Sequence, residues 1–196
     1  ETIQWLQSLA RAKNSAITGS LAIKENNNFY NRLVFVFPSG EIQFYDKRHL
    51  FSLAGENKVY TSGNKKLIVE YQGWKICPLI CYDLRFPVFA RNTVDYDLLI
   101  YVANWPKARI QAWDILLKAR SVENLSYTIG VNRVGFDDNN FEYDGHSQAV
   151  DFLGNYVIEP QETEDVFIVE LNKEKLVETR NKLGFLGDRD SFELKA

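Results

Sequence analysis

The chain has 196 residues, of which 45% are hydrophobic and 25% are charged, and its formal net charge is −3. This balance is typical of a soluble globular protein, and the length predicts one domain with a sizeable core. Acidic and basic residues are interspersed without a basic excess, which argues against a nucleic-acid or membrane surface, and no apolar run approaches the ~18–20 residues that span a bilayer.

Hydrophobic periodicity in the first part of the chain predicts one helix and three strands. Apolar residues at helical spacing predict an amphipathic helix over residues 2–14. Alternating, β-branched and aromatic residues predict strands over 16–23, 29–37 and 41–45, the last two joined as a hairpin. Residues 47–63 have little periodicity, which predicts a loop that carries function.

The rest of the chain alternates between the two periodicities. Helices are predicted over 87–92 and 109–124, and a polar loop over 135–145. Strands are predicted over 67–71, 74–81, 98–103, 128–131, 148–152, 156–159 and 166–171. Because helices alternate with strands and hairpins lie among them, the fold class is expected to be α/β with a layered, mixed sheet.

Two cysteines, Cys77 and Cys81, lie four positions apart in one apolar segment. Without a second pair of cysteine or histidine ligands, this spacing does not predict a zinc site. On a strand the two side chains would lie roughly 13 Å apart at ~3.3 Å per residue, too far for a disulfide. Two reduced thiols, and therefore a cytoplasmic location, are the expectation.

The segment that ends at Cys81 is a candidate for catalysis. An apolar strand leads into Cys81, and polarity rises at Asp83 and Arg85. A thiol at the carboxyl end of a strand lies where ligands of open α/β sheets collect, and a sharp turn there exposes a nucleophile. The alternative is that Cys81 is a small buried hydrophobe, and this alternative carries more weight for Cys77 inside the strand.

Other candidate groups follow other predicted strands. Lys47 can act as an electrostatic donor to an oxyanion, although a lysine in a loop is more often solvated. His49 is expected to have a surface or packing role. Trp105, at the end of the strand 98–103, is a candidate for a pocket wall or an interface. Arg120 and Glu123 are three positions apart on one helix, which predicts an ion pair.

Together these segments resemble the nitrilase superfamily, and in particular its bacterial omega-amidase branch. The resemblance rests on motifs in order along nearly the whole chain. They are YDKRHLF at 45–51, AGE at 54–56, Gly63, GWKI at 73–76, CYDLRFP at 81–87, YVANWP at 101–106, ARSVEN at 119–124, VNRVG at 131–135, YDGHS at 143–147 and DFLG at 151–154.

The resemblance implies a four-layer α-β-β-α sandwich and a site that needs neither a metal nor a cofactor. It implies that Cys81 is the nucleophile, and that Lys47 and the Tyr82 N–H stabilise the oxyanion. Glu56 is then the additional glutamate that holds the lysine and the substrate amide. Arg85 is the candidate for the anionic end of the substrate, and the acyl pocket is assigned to two aromatic residues, Trp105 and Phe51.

One element of the family pattern has no match in this sequence. The general-base glutamate is expected at the end of an early strand, upstream of residue 1, and about two strand–helix units, on the order of 60 residues, are expected there too. Residues 1–196 are therefore interpreted as a single carbon–nitrogen hydrolase domain that lacks its first strand–helix units. We expect these residues alone to be inactive and poorly folded.

The expected function is hydrolysis of a small carboxamide, in particular a 2-oxo dicarboxylic acid monoamide such as 2-oxoglutaramate, through a cysteine thioester. The alternatives are a nitrilase or carbamoyl hydrolase with another substrate, and a non-catalytic binding protein on the same fold. A thiol redox protein that uses Cys77 and Cys81 is disfavoured by the strand spacing. The expected partners are the amide substrate and a second copy of the chain in a homodimer, with no nucleic acid or membrane.

Overall fold

A computed structural model describes residues 1–194, and the chain divides into two compact units, one of residues 1–69 and one from residue 70 on. The first unit begins with helix α1 (Thr2–Lys13) and continues with an antiparallel sheet in the order β1-β2-β3. The strands are β1 (Ile17–Glu25), β2 (Asn28–Val36) and β3 (Ile42–Asp46). The helix and the hairpin predicted from periodicity are thus confirmed.

Local sequence explains both the turn and the core of this unit. Asn26 and Asn27 connect β1 and β2 with left-handed φ angles of 48° and 63°, as a two-residue hairpin turn requires and asparagine tolerates. Ala10 of α1 packs against Val34 and Val36 of β2, and these buried residues form a hydrophobic cluster in the unit. The predicted loop 47–63 contains only two short 3-10 helices.

The second unit is built on a six-stranded sheet in the order β11-β10-β7-β6-β5-β4. Strands β5, β6 and β7 are parallel, whereas β10 is antiparallel to both β7 and β11, so the predicted mixed sheet is confirmed. The strands from β4 to β11 are Val69–Tyr71, Trp74–Ile80, Leu98–Ala103, Tyr127–Asn132, Val134–Phe136, Glu142–Asp144, Ser147–Val150 and Tyr156–Gln161. The parallel strands bring three carboxyl ends to one edge of the sheet.

Three helices accompany this sheet: α2 (Pro87–Ala90), α3 (Ile110–Asn124) and α4 (Lys173–Leu183). Helix α3 lies directly on β7, where a Cβ atom added to Gly130 would come within 2.5 Å of the Leu117 side chain. Glycine at this position therefore allows the close approach of the helix to the sheet. Within residues 1–194, the helices are too short or too polar to cross a bilayer.

Two sequence-based predictions in this unit are wrong. Residues 135–145 were expected to be a polar loop, but they contain most of a hairpin of β8 and β9. Asp137 accepts hydrogen bonds from the N–H groups of Asn139 and Phe141, so the polar residues make the hairpin's turn. Residues 166–171 alternate like a strand but form none, because a strand needs a ladder partner and the sheet described over 1–194 ends at β11.

Within the second unit, helix α4 is held in place by a buried carboxylate. Asp97 is 4% exposed and accepts hydrogen bonds from Arg180 at 3.1 Å and Lys173 at 2.8 Å. The same carboxylate accepts the Lys75 N–H of β5 at 2.9 Å. In α4 itself, Leu176 is fully buried. Residues 173–183 thus pack on their own chain.

Replacing Asp97 with asparagine is expected to lower the free energy of unfolding by about 3 kcal/mol, because two cations lose a buried partner. Urea unfolding measures this change. The control is Glu142→Gln, which breaks the exposed pair between Lys107 and Glu142, and no measurable change is expected from it. Equal stability of the two variants would contradict the role assigned to Asp97.

Candidate active site

The site residues predicted from the sequence fall into two groups. Lys47, Glu56 and Phe51 belong to the first unit. The remaining residues belong to the second unit and lie at the carboxyl ends of β5 and β6; they are Cys81, Tyr82, Arg85 and Trp105.

Lys47 follows β3 directly and is only 3% exposed. Its N–H donates to the Asn31 carbonyl at 2.9 Å, and its ammonium group contacts Glu56 Oε2 at 2.6 Å. The alternative of a solvated loop lysine is therefore wrong. A buried ammonium held by one carboxylate is a fixed positive charge of the kind that stabilises an oxyanion.

Glu56 is the centre of the hydrogen bonds in this group. Its Oε2 accepts the Phe51 N–H at 2.6 Å in addition to Lys47, and its Oε1 accepts Asn31 Nδ2 at 2.9 Å. Burial acts to raise the pKa of Glu56, but the Lys47 charge and these hydrogen bonds outweigh it, so the pKa lies below its usual value. Glu56 is therefore a carboxylate at neutral pH.

The lowered pKa of Glu56 predicts a pH dependence of stability. A group with a depressed pKa contributes stability above its unfolded pKa, and this contribution disappears as the pH falls through its folded pKa. We expect Glu56→Gln to lose less stability than the wild type on acidification below about pH 5. Thermal unfolding across this range provides the measurement, and identical slopes for both proteins would contradict the assignment.

Gly63 fixes the backbone next to Lys47. Its N–H donates to the Lys47 carbonyl at 3.0 Å, and a Cβ atom at this position would lie 2.1 Å from the Asp46 carbonyl oxygen. The chain around Lys47 must therefore shift if any other residue stands here. This contact gives a physical reason for glycine at a position that the family resemblance had singled out.

We expect Gly63→Ala to lower the free energy of unfolding by about 1–3 kcal/mol, since the added methyl group meets backbone that cannot rotate away. The control is Gly19→Ala, in the same unit, where no atom lies within 4 Å of the added Cβ. Thermal unfolding is the measurement, and a Gly63→Ala protein as stable as the control would contradict the clash.

Cys81 lies immediately after β5, at a sharp turn. Its φ angle is 45°, which is rare for a residue other than glycine and costs roughly 1–3 kcal/mol. Residues Cys81–Arg85 form a 3-10 helix. Asp83 Oδ2 accepts the Ile80 N–H at 3.0 Å, and this hydrogen bond connects the end of β5 to the turn. The sharp turn that the sequence predicted after this strand is therefore present, and Cys81 is half-buried within it.

The turn is also held from α3. Arg120 donates through Nη2 to the Leu84 carbonyl at 2.6 Å and through Nη1 to Glu123 at 3.0 Å. The ion pair predicted between Arg120 and Glu123 is therefore confirmed. Arg120 is nevertheless buried, and its contact with the turn was not predicted, because helical spacing says nothing about which neighbouring segment a side chain meets.

On the other side of Cys81 lies the end of β6. The Cys81 sulfur makes a weak hydrogen bond of 3.8 Å to the Asn104 carbonyl oxygen. Trp105 is buried, its Nε1 donates to the Arg109 carbonyl at 2.8 Å, and the Arg85 guanidinium lies 5.0 Å from its ring centre. The Arg85 cation therefore lies over the Trp105 ring, so this ring is not a purely apolar surface.

The remaining candidates have simpler surroundings. Tyr82 is half-buried and packs edge-on against Phe86 at 5.1 Å between ring centres. Phe51 and His49 are half-buried in the loop after β3, and Cys77 is fully buried inside β5, as expected for a packing cysteine. Within residues 1–194, no cluster of three or more histidine, cysteine or acidic side chains is arranged to hold a metal ion.

A model of the carbon–nitrogen hydrolase family matches residues 1–181, a stretch that contains both groups of site residues. The chain belongs to this family. The "Omega-amidase YafV" of Escherichia coli K12 is 43% identical over 195 residues, which cover 99% of this chain and 76% of that protein. The "2-oxoglutaramate amidase" of Bacillus subtilis is 31% identical, over 94% of this chain and 72% of that protein.

A solved structure of another carbon–nitrogen hydrolase, XC1258 from Xanthomonas campestris, superimposes with a TM-score of 0.97 at 43% identity. The superposition covers 100% of this chain and 77% of that one, and the Xanthomonas campestris structure carries an arsenic adduct in its active site. The nitrilase-type fold and the superfamily membership predicted from the motifs are confirmed.

Proposed function

We propose that this carbon–nitrogen hydrolase is an amidase that converts a 2-oxo dicarboxylic acid monoamide, such as 2-oxoglutaramate, to the carboxylate and ammonia. The observation that carries the proposal is the left-handed turn that presents Cys81 at the end of β5. The substrate class is supported by relatives named omega-amidase and 2-oxoglutaramate amidase, which resemble nearly the whole chain.

In the proposed mechanism the Cys81 thiolate attacks the amide carbon and forms a tetrahedral oxyanion. The buried ammonium of Lys47 and the Tyr82 N–H stabilise that oxyanion, and Glu56 fixes Lys47 through the 2.6 Å contact. The proton lost by the Cys81 thiol is transferred to the amide nitrogen, so that the C–N bond breaks, ammonia leaves and a thioester remains on Cys81. Water then attacks the thioester carbonyl, which gives the carboxylate and regenerates the thiol.

The proposed substrate contacts involve Arg85, Trp105 and Phe51. Arg85 is exposed, and its guanidinium is held over Trp105, so it can bind the anionic end of a keto acid. Trp105 and Phe51 are proposed to line the acyl pocket. The reaction is acyl transfer to water and is proposed to use neither a metal nor a cofactor.

We further infer that both compact units belong to one hydrolase domain, which the continuous family match across residues 1–181 supports. The enzyme is proposed to act as a cytoplasmic homodimer. The two thiols, Cys77 and Cys81, support an intracellular location. The interspersed charge supports a small-molecule substrate rather than a nucleic-acid or membrane partner.

A substrate panel tests the proposal on the natural polypeptide that contains these residues. Ammonia release is compared for 2-oxoglutaramate, glutamine and a short aliphatic nitrile. Clear preference for the keto-acid amide is expected, since Arg85 offers a cation to its carboxylate. Preference for the nitrile would identify a nitrilase, and no release from any of them by folded protein would favour a non-catalytic binding protein.

A further inference from the structure

One peptide unit connects the Cys81 sulfur with a buried asparagine, Asn132. The Asn104 carbonyl oxygen faces Cys81 Sγ at 3.8 Å, and the Trp105 N–H donates to Asn132 Oδ1 at 2.7 Å. This carbonyl and this N–H belong to the same planar trans peptide, in which they point in opposite directions. The hydrogen bond from the Trp105 N–H to Asn132 therefore sets the orientation of the Asn104 carbonyl toward the sulfur.

Asn132 holds this segment with every polar atom of its side chain. While Oδ1 accepts the Trp105 N–H, Nδ2 donates to the Trp105 carbonyl at 2.9 Å and to the Gly145 carbonyl at 2.6 Å. Asn132 is only 8% exposed, so water cannot readily replace these bonds. The side chain thus hydrogen-bonds both the N–H and the carbonyl of Trp105, as the backbone of a neighbouring strand would.

The position of Asn132 is itself fixed by the sheet. Asn132 is the last residue of β7, its N–H donates to Ser147 Oγ at 3.0 Å, and the Ser147 hydroxyl donates to the Asn132 carbonyl at 3.1 Å. Ser147 begins β10, which pairs with β7. The carbonyl that faces Cys81 is therefore anchored to two strands of the sheet rather than to a loop.

We propose that Asn132 is a positioning residue for the Cys81 site. Through the peptide between Asn104 and Trp105 it sets the carbonyl that faces the sulfur, and through the Trp105 backbone it sets the ring on which Arg85 rests. Its effect on turnover rests on the proposed function, whereas its effect on the thiol does not.

The test compares Asn132→Ser with Asn92→Ser in the natural polypeptide. Asn92 is a matched control in the same unit, fully buried, and also makes three hydrogen bonds to backbone groups: Nδ2 donates to the carbonyls of Tyr96 and Asn124, and Oδ1 accepts the Tyr96 N–H. Both variants lose a buried backbone clamp, so a general loss of stability affects both. Asn132, unlike Asn92, is hydrogen-bonded to the peptide whose carbonyl faces Cys81.

Two quantities are measured on the folded protein: kcat and KM for the amide, and the pH profile of Cys81 alkylation by iodoacetamide, followed by peptide mass. Asn132→Ser is expected to lower kcat about 10²-fold, as for a misplacement of about 1 Å, and to shift the alkylation profile. Asn92→Ser is expected to retain the wild-type kcat and profile.

Ser147→Ala, which removes the hydroxyl that holds Asn132, should change kcat and the alkylation profile in the same direction but by less. This variant decides the question if Asn132→Ser does not fold.

Wild-type kcat and an unchanged alkylation profile in Asn132→Ser, or in Ser147→Ala if that variant decides, would overturn the proposal. So would equal changes in Asn92→Ser. If the wild-type protein released no ammonia but only Asn132→Ser shifted the alkylation profile, the amidase function would fail while the positioning role of Asn132 would stand.

Discussion

Replacing Cys81 with alanine is expected to lower ammonia release by at least about 10³-fold, because the thioester cannot form without the sulfur. The substitution changes only the nucleophile. The turn itself remains closed by Asp83 from behind and by Arg120 through the Leu84 carbonyl. The measurement is kcat for 2-oxoglutaramate in the natural polypeptide, with unfolding followed in parallel.

The matched control for Cys81→Ala is Cys77→Ala, in the same strand four positions earlier. Cys77 is fully buried inside β5, so its loss is expected to lower stability slightly and to leave kcat near the wild-type value. A Cys81→Ala protein with wild-type turnover would contradict the assigned nucleophile. Equal inactivation of both folded variants would indicate that packing around β5, rather than the thiol, is what activity requires.

The second large effect is expected at Lys47. Lys47→Met keeps much of the side-chain volume but removes the ammonium, so kcat should fall by about 10²–10³-fold through the loss of an oxyanion donor. Because Glu56 then keeps a largely buried carboxylate without its partner, the free energy of unfolding should also fall, by about 3 kcal/mol. Turnover must therefore be measured per folded molecule.

The control for Lys47→Met is Lys58→Met, an exposed lysine two positions after Glu56. It removes the same charge from the same loop without touching the Glu56 ion pair, so turnover and stability should stay close to wild type. A Lys47→Met protein with wild-type kcat would contradict the proposed oxyanion role. Equal losses in both variants would point to the net charge of the loop instead.

Periodicity and motif order predicted most of the fold because both are local properties. Helix α1 carries apolar residues at helical spacing, and β6 is a continuous apolar run of the length of a strand, so each element could be predicted from its own residues. The failure at residues 166–171 has a physical cause: alternation shows that a segment can pair, but a strand also needs a partner at the right place. The hairpin β8–β9 was missed because its strands are only three residues each.

The site was predictable only in part, because motifs identify residues along the chain but not the contacts between distant segments. Motifs identified Cys81, Lys47 and Glu56, whose roles remain predictions, and the structure then showed the buried contact between Lys47 and Glu56. The hydrogen bonds between Asn132 and Trp105 join residues 27 positions apart, so the spacing of residues along the chain does not predict them. Contacts of that kind depend on strand order, which becomes visible only once the sheet is assembled.

The most direct test of the amidase proposal follows turnover while Cys81 is progressively alkylated in the natural polypeptide. Ammonia release from 2-oxoglutaramate is measured against the fraction of Cys81 carrying the alkyl group, determined by peptide mass. The proposal predicts that activity falls in proportion to that fraction and vanishes when Cys81 is fully modified. Full activity with Cys81 completely alkylated would contradict the cysteine mechanism.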